Sequence, residues 1–335
     1  MRRARLLLRL SQTELAEALN AKLGRSYDKP RVSRWENRHE PVPDEVAAAV
    51  EGLAALQPGT ARTVVLANQK GGVGKTTSAL NIACGLSRLG RRVLLVDMDP
   101  QATATVAVLA DAAVAAHRDG CTMAQVILHG RPFGDVVLHA ADAPPNRPMP
   151  FDLAASHIDL AETDGRREPG FDAALREALD VIRGDYDWIV IDAPPNLGML
   201  TWMALAASDE CIVPVRTEPY DAMGVGLLLG TINKVQRRLN PALRLAGILP
   251  TQYGARKLVD REVLGHLMSA LQGTAPVLDP VPESAVFGHA ARNGRIALEA
   301  SPGSAATAVY ARLAAALSNG EPLPVAPPLT PTGGA

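Results

Sequence analysis

The sequence predicts an α/β fold: a mostly parallel sheet flanked by helices, plus a small all-helical N-terminal domain. Three observations predict it. From about Thr63 to Leu317, short apolar runs alternate with long helical patterns, as parallel strands joined by crossover helices require. A glycine-rich loop stands directly between the first of these runs and a helix. The first 57 residues instead carry capping signals and helical spacing. A chain of 335 residues has room for about two domains and a substantial core.

Residues 1–57 read as short helices. Ser11-Gln12-Thr13-Glu14 is a capping box, in which serine and glutamate satisfy each other's backbone N–H groups. Leu15, Ala16 and Leu19 follow as the buried stripe of that helix. After a polar connection, NAKLGRSYDKP, the run Lys29 to Arg38 reads as a second helix with Pro30 in its first turn. Val32 and Trp35 share one face and are assigned to the core. Lys29, Arg31, Ser33, Arg34, Asn37 and Arg38 populate the others. Between Lys22 and Arg38, six basic and two acidic residues leave a local surplus of positive charge. The sequences S-Q-x-E-L-A and V-S-R-W-E-N resemble the phage-repressor (Cro/XRE-type) helix-turn-helix over about residues 5–56. That resemblance implies operator binding, with Lys29, Arg31, Ser33, Arg34 and Asn37 at the DNA. Arginine suits guanine and asparagine suits adenine in the major groove. From the residues alone, a helical dimerisation cap is the alternative.

Pro58-Gly59-Thr60 marks a hinge, assigned to residues 58–62. The domain over 63–317 carries strand candidates TVVLA (63–67), RVLLVD (92–97), WIVID (188–192), CIVPV (211–215) and LRLAGIL (243–249). Their continuous apolar character fits strands covered on both faces. The stretch 140–170 is expected to be irregular. The tail, residues 318–335, holds five prolines and few large apolar groups, and is expected to be disordered.

The strongest local signal is Asn68-Gln69-Lys70-Gly71-Gly72-Val73-Gly74-Lys75-Thr76-Thr77, between strand TVVLA and a helix ended by Gly90. This is the setting of a P-loop. Gly71, Gly72 and Gly74, with Val73 between them, let the backbone curl its N–H groups toward a polyphosphate, and the helix N-terminus adds partial positive charge. Lys75 supplies a cation for the outer phosphates, Thr76 a hydroxyl for Mg2+, and Thr77 extends the cradle. Where a common P-loop has glycine, this chain has Gln69, and Lys70 precedes the glycines. Lys70 is either a solvated loop charge or a cation that reaches the phosphates of a neighbouring subunit.

K-G-G-V-G-K-T-T resembles the deviant Walker A box of the ParA/MinD group of P-loop ATPases. Two further segments agree with it. Leu94-Leu95-Val96-Asp97-Met98-Asp99-Pro100-Gln101 is similar to the group's D-x-D-P-Q box. Asp187 to Gly198, DWIVIDAPPNLG, is similar to its Walker B strand and switch. The resemblance implies ATP and Mg2+ as cofactors and an ATP-sandwich homodimer joined by Lys70. It implies phosphate contact by Lys75, the metal at Thr76 and Asp192 with Asp97 close by, and Asp99 orienting the attacking water. The bland reading of the three aspartates is capping or turn formation.

Within that group, Cys121 and Cys211 do not match a cluster-binding pair, and the tail cannot form a membrane-binding amphipathic helix. The last tyrosine is Tyr310, so no terminal tyrosine cluster exists. The ParA partition branch remains. It implies nonspecific DNA binding, a ParB-like partner that stimulates hydrolysis, and a nucleoid-associated protein. TQYGAR (251–256) resembles a segment whose arginine contacts DNA, which assigns that role to Arg256. Lys257, Arg261, Arg292 and Arg295 either extend this surface or are solvated charges. Where the branch has a second DNA-binding arginine, this chain has Glu283 and Val286. An ATP-switched transcription regulator and an organiser of another cargo are open alternatives.

Composition agrees. Lys+Arg 34 against Asp+Glu 35 excludes a uniformly basic coat, although not local basic faces. Three scattered cysteines without a CxxC pair fit a reducing cytoplasm. The apolar run Leu6–Leu8 ends at Arg9, too short for an export signal, and no long apolar run predicts a membrane span.

Overall fold

The computed structural model describes residues 5, 10–37, 39–55, 61–166 and 168–328. It divides into two compact units, Met1–Thr60 and Ala61–Ala335.

The first unit holds α1 (Gln12–Leu23), α2 (Lys29–Glu36) and α3 (Asp44–Ala55). The capping box forms as the sequence predicts: Glu14 N donates to Ser11 Oγ, and Ser11 N donates to the Glu14 carboxylate. The connection is shorter than expected. Asn20 to Leu23 continue α1, which stops at Gly24 in the left-handed conformation (φ 63°). Asp28 then caps α2 by accepting from Arg31 N. Leu15, Leu19, Val32, Trp35, Val46 and Val50 form a core of their own. Glu36 ties the unit together by accepting from Arg5 and from Gln12. Arg38 and residues 56–60 lie outside the described residues, and with them most of the expected hinge. The remainder of that hinge is not a linker. Ala61 N donates to the Arg183 carbonyl, and Arg62 opens the first strand.

The second unit is built on β1 (Arg62–Leu66), β2 (Val93–Asp97), β3 (Val137–Leu138), β4 (Asp152–Ala154), β5 (Trp188–Asp192), β6 (Glu210–Arg216) and β7 (Arg244–Thr251). Their order across the sheet is β3-β4-β2-β5-β1-β6-β7, with every pair parallel except β3–β4. Between β1 and β5 run α4 (Lys75–Arg88), α5 (Thr103–Leu109), α6 (Ala112–Arg118), α7 (Met123–His129) and α8 (Ala174–Asp180). Next come α9 (Met199–Ala206), α10 (Pro219–Arg238), α11 (Leu258–Ala270), α12 (Ala285–Arg292), α13 (Ala297–Ala300) and α14 (Ala305–Asn319).

Alternation along the strands sends side chains to opposite faces. Val65, Leu94, Val96, Ile189 and Ile191 join one core with residues of α7 to α11. Val64, Leu66, Leu95, Trp188 and Val190 join the other with residues of α4, α5 and α14. Among the described residues, no helix is long and apolar enough to cross a membrane.

Two expectations are corrected. The stretch 140–170 is not all irregular, because it supplies β4, an internal strand of the sheet. The tail is not disordered from 318 to 328. Helix α14 runs to Asn319, and Val325 then pairs antiparallel with Leu278. Asp279 N donates to the Pro324 carbonyl, and Ala326 N to that of Val277. Proline lacks an N–H but keeps its acceptor, so a proline-rich segment can still line a strand edge.

Candidate functional site

Sheet register assembles the site. Leu66, Asp97 and Asp192 stand level at the C-terminal ends of three adjacent central strands, with Asp192 the partner of both others. That edge is where α/β sheets bind ligands. The loop from Ala67 to Gly74 leaves β1 there. Gly72 and Gly74 adopt φ values of 72° and 88°, which L side chains resist. Thr251 Oγ1 donates to the Val73 carbonyl (2.9 Å) and Gln252 Nε2 to that of Gly72 (3.0 Å). Asn68 braces the start, accepting from Lys70 N and donating to the Pro214 carbonyl. Gly74 is the N-cap of α4, so Lys75, Thr76 and Thr77 form its first turn, where backbone N–H groups lack helical partners.

Lys75 is buried, and its Nζ donates to the Lys70 carbonyl at 3.0 Å. Burial lowers its pKa, while Asp192 and Asp99 pull the other way. Lys70 itself is half-buried beside Gly71.

The two register-paired aspartates differ sharply. Asp97 accepts from Asp99 N (3.1 Å) and from both the backbone N–H and the hydroxyl of Thr105 (2.8 Å each). Burial pushes its carboxyl up to about 6 despite those bonds. Both carboxylate oxygens of Asp192 are buried without a hydrogen-bond partner among the described residues. Burial, then the neighbouring Asp97, raises Asp192 well above the usual carboxylate range, opposed by the Thr76 hydroxyl and Lys75. An unpartnered buried carboxylate is costly. A hard cation relieves that cost, and the oxygen donors of Asp192, Thr76 and Asp97 are the kind that Mg2+ takes. Asp192 has its oxygens to offer, whereas Asp97 already serves three donors.

Asp99 caps the turn after β2, accepting from Gln101 N at 3.0 Å, and its carbonyl accepts from Ser156 Oγ at 2.6 Å. The segment after Asp192 runs beside the phosphate loop: a Cβ on Gly71 would lie 4.0 Å from Pro195 Cβ. Lys70, Lys75, Thr76, Asp97, Asp99 and Asp192 are therefore gathered at one sheet edge. Sequence reasoning missed a cleft of about 230 Å³ that opens from it, lined by Gly74, Thr77, Thr251, Gln252, Pro282 and Phe287 among others. TQY and VPES carried no recognisable signal of a shared wall, because the bridge Tyr253–Pro282 that joins them is long-range.

The residues expected at DNA are divided between the two units. In the first unit, Lys29, Arg31, Arg34 and Asn37 are exposed on or just after α2, and Ser33 is half-buried. Arg31 and Arg34 both reach Glu40, at 3.3 and 2.7 Å, and Asn37 Nδ2 donates to Ser33 Oγ. In the second unit, Arg256 is exposed between β7 and α11. Its neighbour Lys257 pairs with Glu283 at 2.5 Å, so the acid that replaces an expected arginine also occupies an adjacent lysine.

A family of protein domains described as an AAA domain matches residues 61–245. The chain is 40% identical over 254 residues to the chromosome-partitioning ATPase Soj of Thermus thermophilus, covering 76% of this chain and 94% of that protein. It is 37% identical over 207 residues to the chromosome partitioning protein ParA of Myxococcus xanthus, covering 61% of this chain and 69% of that one. Among solved structures, cobyrinic acid a,c-diamide synthase from Mycobacterium smegmatis with bound ADP and magnesium matches with a TM-score of 0.66 at 33% identity, covering 80% of this chain and 100% of the other.

Proposed function

The chain belongs to the Soj/ParA family of P-loop ATPases, and on that premise we propose that it is a partition ATPase that pairs with a second copy across ATP and Mg2+. The observation that carries this reading is the Asp192 carboxylate, buried at the end of β5 with neither oxygen hydrogen-bonded among the described residues and only the nearby Thr76 hydroxyl and Lys75 opposing its burial. It is register-matched to Asp97 and lies within electrostatic reach of Lys75. Such a carboxylate calls for a cation, and the glycine loop beside it calls for the phosphates that accompany one.

Thr76 and Asp192 hold the Mg2+, which neutralises charge on the phosphates when bound. Lys75, desolvated and aimed along the loop, binds the outer phosphates. Asp99 orients the attacking water, with its backbone fixed by Asp97 and Ser156. Lys70 reaches the phosphates of the partner subunit. The cleft bounded by Thr251, Gln252, Pro282 and Phe287 receives the nucleoside.

The first unit binds operator DNA as a helix-turn-helix through Lys29, Arg31, Ser33, Arg34 and Asn37. Arg256 contributes to nonspecific binding by the dimer, and a ParB-like partner stimulates hydrolysis and release. Size measurement with and without ATP tests the central claim. Wild type should double in mass with ATP and Mg2+. Lys70→Ala should bind ATP yet stay monomeric, and its hydrolysis should fall by roughly 10³-fold or more if the lysine acts in trans. Lys75→Ala should lose ATP binding. A Lys70→Ala protein that dimerises and hydrolyses normally would overturn the trans role.

A further inference from the structure

Away from the phosphate loop, three potential metal ligands converge from two stretches of chain. His117 is exposed in the last turn of α6. His157 and Asp159 follow β4, both half-buried. One ligand atom from each lies within 4.8 Å of the others. The two imidazoles are stacked, with centroids 3.4 Å apart and planes 12° from parallel. The Asp159 carboxylate lies 3.1 Å from His157 Nδ1.

We propose that His117, His157 and Asp159 form a binding site for a divalent transition-metal ion, with Zn2+ as the natural occupant. The donor set decides the class. Imidazole nitrogen suits Zn2+ and its borderline neighbours, whereas Mg2+ prefers all-oxygen ligands. Two histidines and a carboxylate are a frequent three-ligand Zn2+ set, leaving a fourth position for water. This site is therefore chemically distinct from the oxygen-donor site at Asp192 and Thr76, and it does not depend on the function proposed above.

Geometry adds one requirement. A ring nitrogen donates within the plane of its own ring, so two face-to-face rings cannot both aim at one ion. One ring must turn. His117 is the one able to, being exposed at a helix end, while His157 is held beside Asp159. An occupied site would fasten α6 to the segment after β4. That segment carries Ser156, which donates through its backbone to Thr105 Oγ1 and through its hydroxyl to the Asp99 carbonyl. Metal binding is thus one residue removed from the bonds that fix Asp97 and Asp99.

The test uses the full chain without a polyhistidine tag, in saturating Mg2+, titrated with Co2+ as a spectroscopic probe and then with Zn2+. The expected result is one equivalent of Co2+ with visible d–d absorption, bleached by one equivalent of Zn2+. His117→Ala and His157→Ala should each weaken Co2+ binding by about tenfold or more, and Asp159→Asn should weaken it also. Retained ATP binding certifies that each variant is folded. His117→Ala, at an exposed position, keeps the test decisive even if His157→Ala does not fold. Absence of the Co2+ band in wild type, or an undiminished band in His117→Ala, overturns the proposal. So does a band abolished by Thr76→Ala, which would place the ion at the phosphate loop.

Discussion

Thr105 is a residue on which several groups of the site depend, although no motif contains it. Its hydroxyl donates to Asp97 and accepts from Ser156 N, both at 2.8 Å, and the residue is buried. Valine matches its shape but makes neither bond. Thr105→Val would weaken the support of a buried carboxylate and leave the Ser156 N–H without an acceptor. The expected cost is roughly 3 kcal/mol, read from denaturant unfolding, because charge-assisted bonds and stranded buried donors are each worth about 1–3 kcal/mol. Hydrolysis should fall as well, since Asp97 and Ser156 both anchor Asp99. A loss under about 0.5 kcal/mol would show that the hydroxyl bridge is not formed. The contrast with Lys75, Thr76, Asp97, Asp99 and Asp192 shows what was legible. Those five stand in contiguous motifs whose spacing reports their chemistry. Thr105 is eight positions beyond Asp97 and returns to it only because the chain turns through Ala102 in a left-handed conformation, φ 52°, which an alanine gives no reason to expect.

At the scale of elements, the contact between α4 and α14 sets how closely a helix can approach the phosphate loop's own helix. A Cβ on Gly85 would lie 2.6 Å from the Cβ of Ala314, and 3.3 Å from Leu298 Cδ2. Glycine within a helix ordinarily costs about 1 kcal/mol relative to alanine, so Gly85→Ala would stabilise an open position. Here the opposing atom is fixed to a helix backbone and cannot swing away. The predicted sign is therefore reversed: Gly85→Ala should destabilise by about 1–3 kcal/mol, as overpacking does. Ala314→Gly in the same chain should recover much of the loss, and a double-mutant cycle by chemical denaturation measures that recovery. The strands were legible wherever they are long and covered on both faces. The run 188–192 coincides with β5, β6 extends one residue beyond its predicted run at each end, and β7 starts one residue later and ends two later than predicted. The runs β3 and β4 span only two and three residues, too few to display a period. The tail was misread because composition reports the lack of side chains to bury, and not the backbone acceptors that Pro324 still offers to Asp279.

At the scale of the whole molecule, two units with separate cores make a thermodynamic claim. The first rests on a small cluster around Leu15, Leu19, Val32 and Trp35, and the second on the two extensive clusters covering its sheet. Small cores give marginal domains, so the unit at residues 1–60 should melt first. The predicted phosphate and Mg2+ ligands, Lys70 to Thr77, Asp97 and Asp192, all belong to the second unit. A ligand stabilises the cooperative unit that binds it, by about 2.7 kcal/mol at a hundred times its Kd. For a domain of this size that raises Tm by roughly 5 °C. Calorimetry of the full chain should therefore show two transitions. Addition of ATP and Mg2+ should move the upper one by that amount and leave the lower one in place, and Lys75→Ala should abolish the shift. Operator DNA added without ATP should do the converse, raising the lower transition alone, and a variant carrying both Arg31→Ala and Arg34→Ala should lose that response. A single transition displaced as a whole by ATP would mean that the two cores unfold together, and the assignment of one ligand to each would then need a physical coupling between them.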